Sequence, residues 1–383
     1  MPAFKSRIES ALAERKTQGL SRSMNVVFAG NQSVLEHEGK RYINFSSNDY
    51  LGLANDQALV RAWQQGLSVY GSGSGASPMV TGFSAAHSNL EAALTEWLDY
   101  DRAILFGSGF SANQALLFTL LEKSDVLIQD RLNHASLMEA GMLSPAKMKR
   151  FKHNDIEHLK SLLNSEGNHL VVTEGVFSMD GDCAPLSDIA EVTRSHDAWF
   201  AVDDAHGIGV LGQSGGGSCE LATVKPEILI VTFGKAFGMS GAAILCDHAT
   251  GDFLTQFARH HVYSTAMPPA QAYALTHAAS IVQEQSWRRE KLSELSEVYR
   301  DCLSDLEGFV ETQTSIKPFV IGESELALQV ASACRQNGIW VTAIRPPTVP
   351  KGTSRLRITL TANHTNEQVK TLSMALKQAL GAL

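Results

Sequence analysis

Residues 228–238 read ILIVTFGKAFG: an apolar, β-branched run, Ile228 to Phe233, closed by Lys235 between Gly234 and Gly238. Lysine is among the residues least often buried, so a lysine at the exit of such a run needs a partner or a task. A run that is apolar at every position, rather than alternating, reads as a strand covered on both faces. Working outward, the same kind of run recurs from about residue 100 as RAILFGS, DVLIQDR, HLVVTEG, WFAVDDA and AAILCD. Between several of these lie helical patterns, SANQALLFTLL, HASLMEAGML and LSDIAEVTRSH. That alternation predicts an α/β fold, a mostly parallel sheet flanked by helices. AAILCD follows ILIVTFG too closely for a helical crossover, so this pair reads as antiparallel.

The remaining chain divides around that core. Residues 1–47 are expected to form an N-terminal segment: an amphipathic helix with Phe4, Ile8 and Leu12 on one face, then a hairpin in VLEHEGKRY turning at Glu38-Gly39. Residues 48–285 would be the large domain. The charged helical pattern SWRREKLSELSEVYRDCLSDL opens a smaller α+β domain over 286–383, with strands KPFVIG, WVTAIRP and RLRITLT and helices near 324–337 and 365–380.

Bulk properties narrow the function classes. The chain has 383 residues, enough at roughly 150 per domain for two or three lobes, and 44% hydrophobic against 19% charged residues, enough for a large core. A net charge of −8 argues against broad contact with nucleic acid or anionic membrane. Five scattered cysteines without a C-x-x-C pair fit a reducing, cytoplasmic setting. The charged N-terminus is unlike a signal peptide, and no apolar run reaches membrane-span length.

In open α/β sheets, ligands sit beyond the carboxyl ends of the strands. Five successive exits here carry chemistry: Gly107-Ser108-Gly109-Phe110, then His134, then Glu174 and Ser178, then Asp203-Asp204-Ala205-His206, then Lys235. Each has a bland alternative: a tight turn for the glycines, a structural histidine, a snorkelling lysine. Asp203, Asp204, His206 and His134 would also suit a divalent cation in a hydrolase. Pyridoxal 5′-phosphate would use all the exits at once. It needs a lysine for a Schiff base, an acid facing its ring nitrogen, and an anion seat such as the helix start at Gly109. Gly212-Gln-Ser214-Gly-Gly216 matches the hydrolase pattern G-x-S-x-G but lacks the buried strand and following helix of a nucleophile elbow, so it reads as a loop. FGKAFG lacks the glycine spacing and the Ser/Thr of a P-loop.

Eight ordered segments, NFSSNDYLGL, SGFSANQALL, DRLNHASLMEA, VVTEGVFSMDGD, VDDAHGIGVLG, TFGKAFG, YSTAMPPA and TAIRPPTVPKGTSRLRITLTA, together resemble the α-oxoamine synthases, fold-type I pyridoxal-phosphate enzymes, over essentially the whole chain. The resemblance implies a seven-stranded sheet in the large domain, a homodimer with shared active sites, and no metal. It also implies that Lys235 carries the cofactor, Asp203 pairs with its ring nitrogen, His206 hydrogen-bonds its phenolic oxygen and His134 stacks on its ring. Gly109, Phe110, Ser178 and Thr232 would contact the phosphate region, with Ser264 and Thr265 reaching across to the partner subunit. Arg357 would hold the amino-acid carboxylate, while Arg22 and Thr348 would line the acyl entrance. The implied reaction condenses L-alanine with a pimeloyl thioester, on coenzyme A or an acyl carrier protein, for biotin synthesis. Glycine-using members of the family are the alternative, followed by a non-catalytic cofactor-binding module.

Overall fold

The computed structural model describes residues 3–381. Its first helix, Ala3–Thr17, leaves Phe4, Ile8 and Leu12 exposed at 70%, 58% and 63%, so the predicted apolar face is present and nothing among the described residues covers it. Strands β1 (Val34–His37) and β2 (Lys40–Asn44) form the expected hairpin. Its two-residue turn places Glu38 and Gly39 at φ 50° and 72°, the left-handed pair that suits the twist of a tight hairpin.

Seven strands build the main sheet: β3 (Arg102–Phe106), β4 (Val126–Asp130), β5 (Lys147–Phe151), β6 (His169–Glu174), β7 (Trp199–Asp203), β8 (Ile228–Thr232) and β9 (Ala242–Cys246), ordered β3-β9-β8-β7-β6-β4-β5. Strands β4 to β8 are parallel, and β9 runs antiparallel to both β8 and β3. Strand β8 shows why its run is apolar throughout. Leu229 and Val231 belong to the core on one face of the sheet, Ile228 and Ile230 to the core on the other, as the two-residue side-chain period of a strand requires. Strand β5, KMKRF, was absent from the sequence reading. It is an edge strand, and its exposed positions carry Lys147 and Arg150, charges that protect such an edge from further pairing.

Beyond the long helix Trp287–Leu303 come β10 (Ile316–Gly322), β11 (Ile339–Trp340), β12 (Thr342–Ile344) and β13 (Ser354–Thr359), with helices Ser324–Gln336 and Asn366–Gly381. WVTAIRP, read as one strand, is two. Strand β12 joins an antiparallel sheet β10-β13-β12, whereas β11 pairs in parallel with β2. The N-terminal hairpin therefore completes a small sheet with a segment nearly 300 residues away. Among the described residues no helix is long and apolar enough to cross a membrane.

Candidate active site

The carboxyl ends of the parallel strands open into a cavity of about 310 Å³ lined by Gly109, Phe110, Asn113, His134, Glu174, Asp203, Thr232 and Lys235, among others. Of these eight, seven were singled out in the sequence, and they converge on one space.

Lys235 follows β8 by three residues. Burial pushes its amine down to about 8, with Asp203 and Glu174 working in the opposite direction. An ordinary lysine near 10.4 is almost wholly protonated at neutral pH, so this environment makes the amine a usable nucleophile and base. Asp203 ends β7, next to β8 in the sheet. Its Oδ1 accepts the backbone N–H of Ala205 at 3.1 Å and its Oδ2 accepts Asn113 Nδ2 at 2.7 Å.

Asn113 was not singled out in the sequence. It lies inside the helix Gly109–Leu120 and is 1% exposed. The same Nδ2 also donates to Ser136 Oγ at 2.9 Å, and Ser136 Oγ lies 2.7 Å from His134 Nδ1. The backbone N–H of Ser136 also points at Nδ1, at 3.3 Å. With two donors directed at Nδ1, the neutral ring carries its proton on Nε2. Burial and the Lys235 charge lower the His134 pKa, against the pull of Asp203, and so favour that neutral form. One relay of donors thus fixes both the carboxylate at 203 and the tautomer at 134.

Glu174, at the end of β6, receives the backbone N–H of His134, and burial with nearby Asp203 raises its pKa well above the ordinary carboxyl range. Asp203 and Asp204 diverge. Asp204 turns to Ser218, accepting its N–H at 2.8 Å and its hydroxyl at 2.5 Å, and burial lifts it to about 7. That divergence removes the carboxylate pair a metal site would have used, and no group of three or more His, Cys, Asp or Glu side chains among the described residues is placed to hold a metal ion.

His206, Ser178 and Arg357 lie outside the cavity wall. His206 Nδ1 is 2.7 Å from the Tyr50 hydroxyl. Burial, followed by the charges of Lys235, Arg357 and His134, holds its pKa well below the usual histidine range. Arg357, on β13, is 8% exposed rather than solvated. It donates to the Ser178 carbonyl at 2.6 Å, to Asn48 Oδ1 at 3.0 Å and to the Tyr50 hydroxyl at 3.4 Å. Asn48, itself in the wall, and Tyr50 belong to the segment NFSSNDYLGL and were not picked out individually. Four expected residues, Arg22, Ser264, Thr265 and Thr348, are exposed and are not brought to the cavity within one chain. Arg345 does tie the stretches carrying Arg22 and Thr348 together through the Gly19 carbonyl, at 2.9 Å.

The family profile described as Aminotransferase class I and II matches residues 40–376, which makes the fold that of the fold-type I pyridoxal-phosphate-dependent transferases. A serine palmitoyltransferase from Sphingomonas wittichii superposes with a TM-score of 0.92 at 29% identity, covering 100% of this chain and 98% of its own. A crystal structure of 8-amino-7-oxononanoate synthase from Francisella tularensis has a TM-score of 0.79 at 29% identity, over 89% of this chain and 98% of its own. The 8-amino-7-oxononanoate synthase of Vibrio campbellii is 92% identical over 383 residues, all of both chains. The chain belongs to the 8-amino-7-oxononanoate synthase family.

The cavity suits pyridoxal phosphate on its own terms. Thr232 Oγ1 and Glu174 Oε1 are buried without a hydrogen-bond partner, an uncommon cost unless a ligand supplies the partner. The helix Gly109–Leu120 starts at the cavity and presents free backbone N–H groups there. At Gly109 the backbone runs so close to β8 that an added Cβ would sit 2.7 Å from Thr232 Cγ2. That bare position keeps space for an anion between the helix start and the threonine.

Proposed function

We propose that this protein condenses L-alanine with a pimeloyl thioester, releasing carbon dioxide and the free thiol carrier and forming 8-amino-7-oxononanoate for biotin synthesis. Pyridoxal phosphate, when bound, supplies the electron sink that stabilises a carbanion at the amino-acid Cα. The observation that carries the reading is the pairing of a lysine amine, lowered to about 8 by burial, with the hydrogen-bonded carboxylate of Asp203 in one cavity.

Lys235 would hold the cofactor covalently, and its amine is placed to remove the Cα proton of the amino acid and return one. Asp203, fixed by Asn113 and Ala205, would keep a proton on the ring nitrogen. His134 would lie against the ring, with its Nε2–H free to donate to a substrate carboxylate or ketone. His206, whose Nδ1 lies 2.7 Å from the Tyr50 hydroxyl, would hydrogen-bond the ring oxygen. Thr232, Gly109 and Phe110 seat the phosphate with the helix N-terminus, and Ser178 borders that region. Arg357 binds the alanine carboxylate, its planar fork suited to two oxygens.

The functional unit in this reading is a homodimer. The exposure of Ser264 and Thr265, and of the Phe4, Ile8 and Leu12 stripe, supports a partner subunit that covers them and receives the first two at its own phosphate seat. Arg22 and Thr348 line the acyl entrance.

The test is a visible spectrum of the purified protein with and without L-alanine, coupled to thiol release from pimeloyl thioesters with alanine, glycine or serine. A cofactor band that shifts with alanine, and release that needs alanine, is the expected result. Release that prefers glycine with a shorter acyl thioester would transfer the protein to another branch of the same chemistry.

A further inference from the structure

Outside the cavity, one cluster of titratable groups joins the main sheet to the strands that carry Arg357. Asp130, at the end of β4, is fully buried, and both its oxygens lie within 3.2 Å of His153 Nδ1. His153 Nε2 lies 2.7 Å from Asp182 Oδ2. A neutral imidazole has one donor and could satisfy one of these carboxylates, while an imidazolium satisfies both. Burial opposes the charge, yet the hydrogen bonds and charges of Asp130 and Asp182 raise His153 to about 10. Asn154 adds its backbone N–H to Asp130 and its side-chain amide to Asp182, and the Phe177 ring packs edge-on against His153 at 4.4 Å.

Asp182 sits on a tight turn, residues 176–183, closed by a bridge between Val176 and Cys183 and by the Gly181 N–H to Phe177 carbonyl bond of 2.8 Å. The opposite side of this turn is gripped by β13 and by the loop that leads into β10. Thr314 Oγ1 donates to the Gly181 carbonyl at 2.8 Å, Arg355 pairs with Asp180 at 2.5 Å, and Arg357 donates to the Ser178 carbonyl at 2.6 Å. The turn is therefore held from the sheet by one cation between two anions, and it in turn holds the guanidinium.

We propose that His153 is a positioning residue: its imidazolium, clamped between Asp130 and Asp182, fixes the 176–183 turn so that the Ser178 carbonyl orients Arg357 for the substrate carboxylate. This rests on the reading of Arg357 as the carboxylate-binding group. Asp130, His153 and Asp182 do not line the cavity, so losing the clamp should loosen amino-acid binding and leave the chemical step and the acyl site largely alone.

The experiment uses the holoenzyme of three variants, His153→Ala, Asp182→Asn and Arg357→Lys, titrated spectrally with L-alanine and assayed for kcat and both KM values. For His153→Ala the dissociation constant and KM for L-alanine should rise about tenfold, with kcat at saturating alanine and the thioester KM within about twofold of wild type. Asp182→Asn keeps an acceptor oxygen but loses the charge, and should show a rise of about threefold in the same two constants. It also serves if His153→Ala does not fold. Unchanged alanine affinity in the clamp variants, beside a loss in Arg357→Lys, would overturn the clamp alone, even if their melting temperatures fell. Unchanged alanine affinity in Arg357→Lys would instead overturn the carboxylate assignment, and the clamp proposal with it.

Discussion

Replacing Asp203 by asparagine removes one charge and one acceptor from a site where both oxygens are in use. The carboxylate accepts Asn113 Nδ2 at 2.7 Å and Ala205 N–H at 3.1 Å. An asparagine amide offers one acceptor and one donor, so in either orientation its NH2 group faces another donor. Leaving a buried donor unsatisfied costs about 1–3 kcal/mol, which should appear as a few degrees of lost thermal stability. The catalytic loss is separate. A hydrogen bond to a charged group contributes about 1.5–3 kcal/mol, so losing the one proposed to keep the ring nitrogen protonated should lower kcat by roughly 10- to 150-fold. Disturbance of Asn113 would pass to Ser136 and His134 along the relay and add to that. The assay combines thermal unfolding, the cofactor absorbance band and steady-state thiol release with L-alanine and a pimeloyl thioester. A variant with the full cofactor band and a kcat within twofold of wild type would refute the assigned role of Asp203.

Other consequences are equally direct. Lys235→Ala should retain its fold and lose turnover by at least about a thousandfold, with no lysine adduct after borohydride reduction; product formation at near wild-type rate would exclude Lys235 as base. Gly109→Ala places a methyl against Thr232 and, at about 1–3 kcal/mol for overpacking, should weaken pyridoxal phosphate binding about tenfold, measured by equilibrium dialysis of the cofactor-free protein. The Lys235 pKa is shifted downward to about 8, so its amine gains its neutral form as pH rises through that value. Labelling of the cofactor-free protein by an amine-reactive reagent, followed by peptide mapping, should therefore level off above about pH 8, and continued increase to pH 10 would contradict the shift. The same sign makes folding stability recover between about pH 8 and the ordinary lysine value, because only the unfolded chain still binds the proton there. If Thr265 serves the partner's site, mixing inactive Lys235→Ala and Thr265→Ala subunits should restore roughly a quarter of wild-type activity through hybrid dimers with one intact site; no recovery after verified subunit exchange would refute the shared site.

What the sequence made legible follows from where its chemistry sits. Lys235, Asp203, Glu174 and His134 each lie at or just past the end of an apolar run, and the strand-exit rule for α/β sheets finds such residues without coordinates. Asn113 carries no such mark. It is a polar residue inside a helix, and its role depends on Asp203, 90 residues further along. Tyr50 is likewise one aromatic in an apolar stretch until His206 and Arg357 are placed beside it. Strand β5 carries no such pattern, because charged residues on an edge strand erase the periodicity that a half-buried strand displays.

By itself the amino-acid sequence determined the α/β alternation, the hairpin at Glu38-Gly39, the antiparallel partner of the lysine strand and the residues offered to a cofactor. These are local properties, set by side-chain period and turn chemistry over a dozen residues or fewer. Tertiary structure alone decided that Asp203 and Asp204 diverge, that Asn113 and Ser136 link Asp203 to His134, and that β2 pairs with β11. It also placed His153 between Asp130, at the end of β4, and Asp182, on the turn that supports Arg357. Each of these is a hydrogen bond between distant parts of the chain. Its existence depends on strand order and crossover connection, which no short window of sequence encodes.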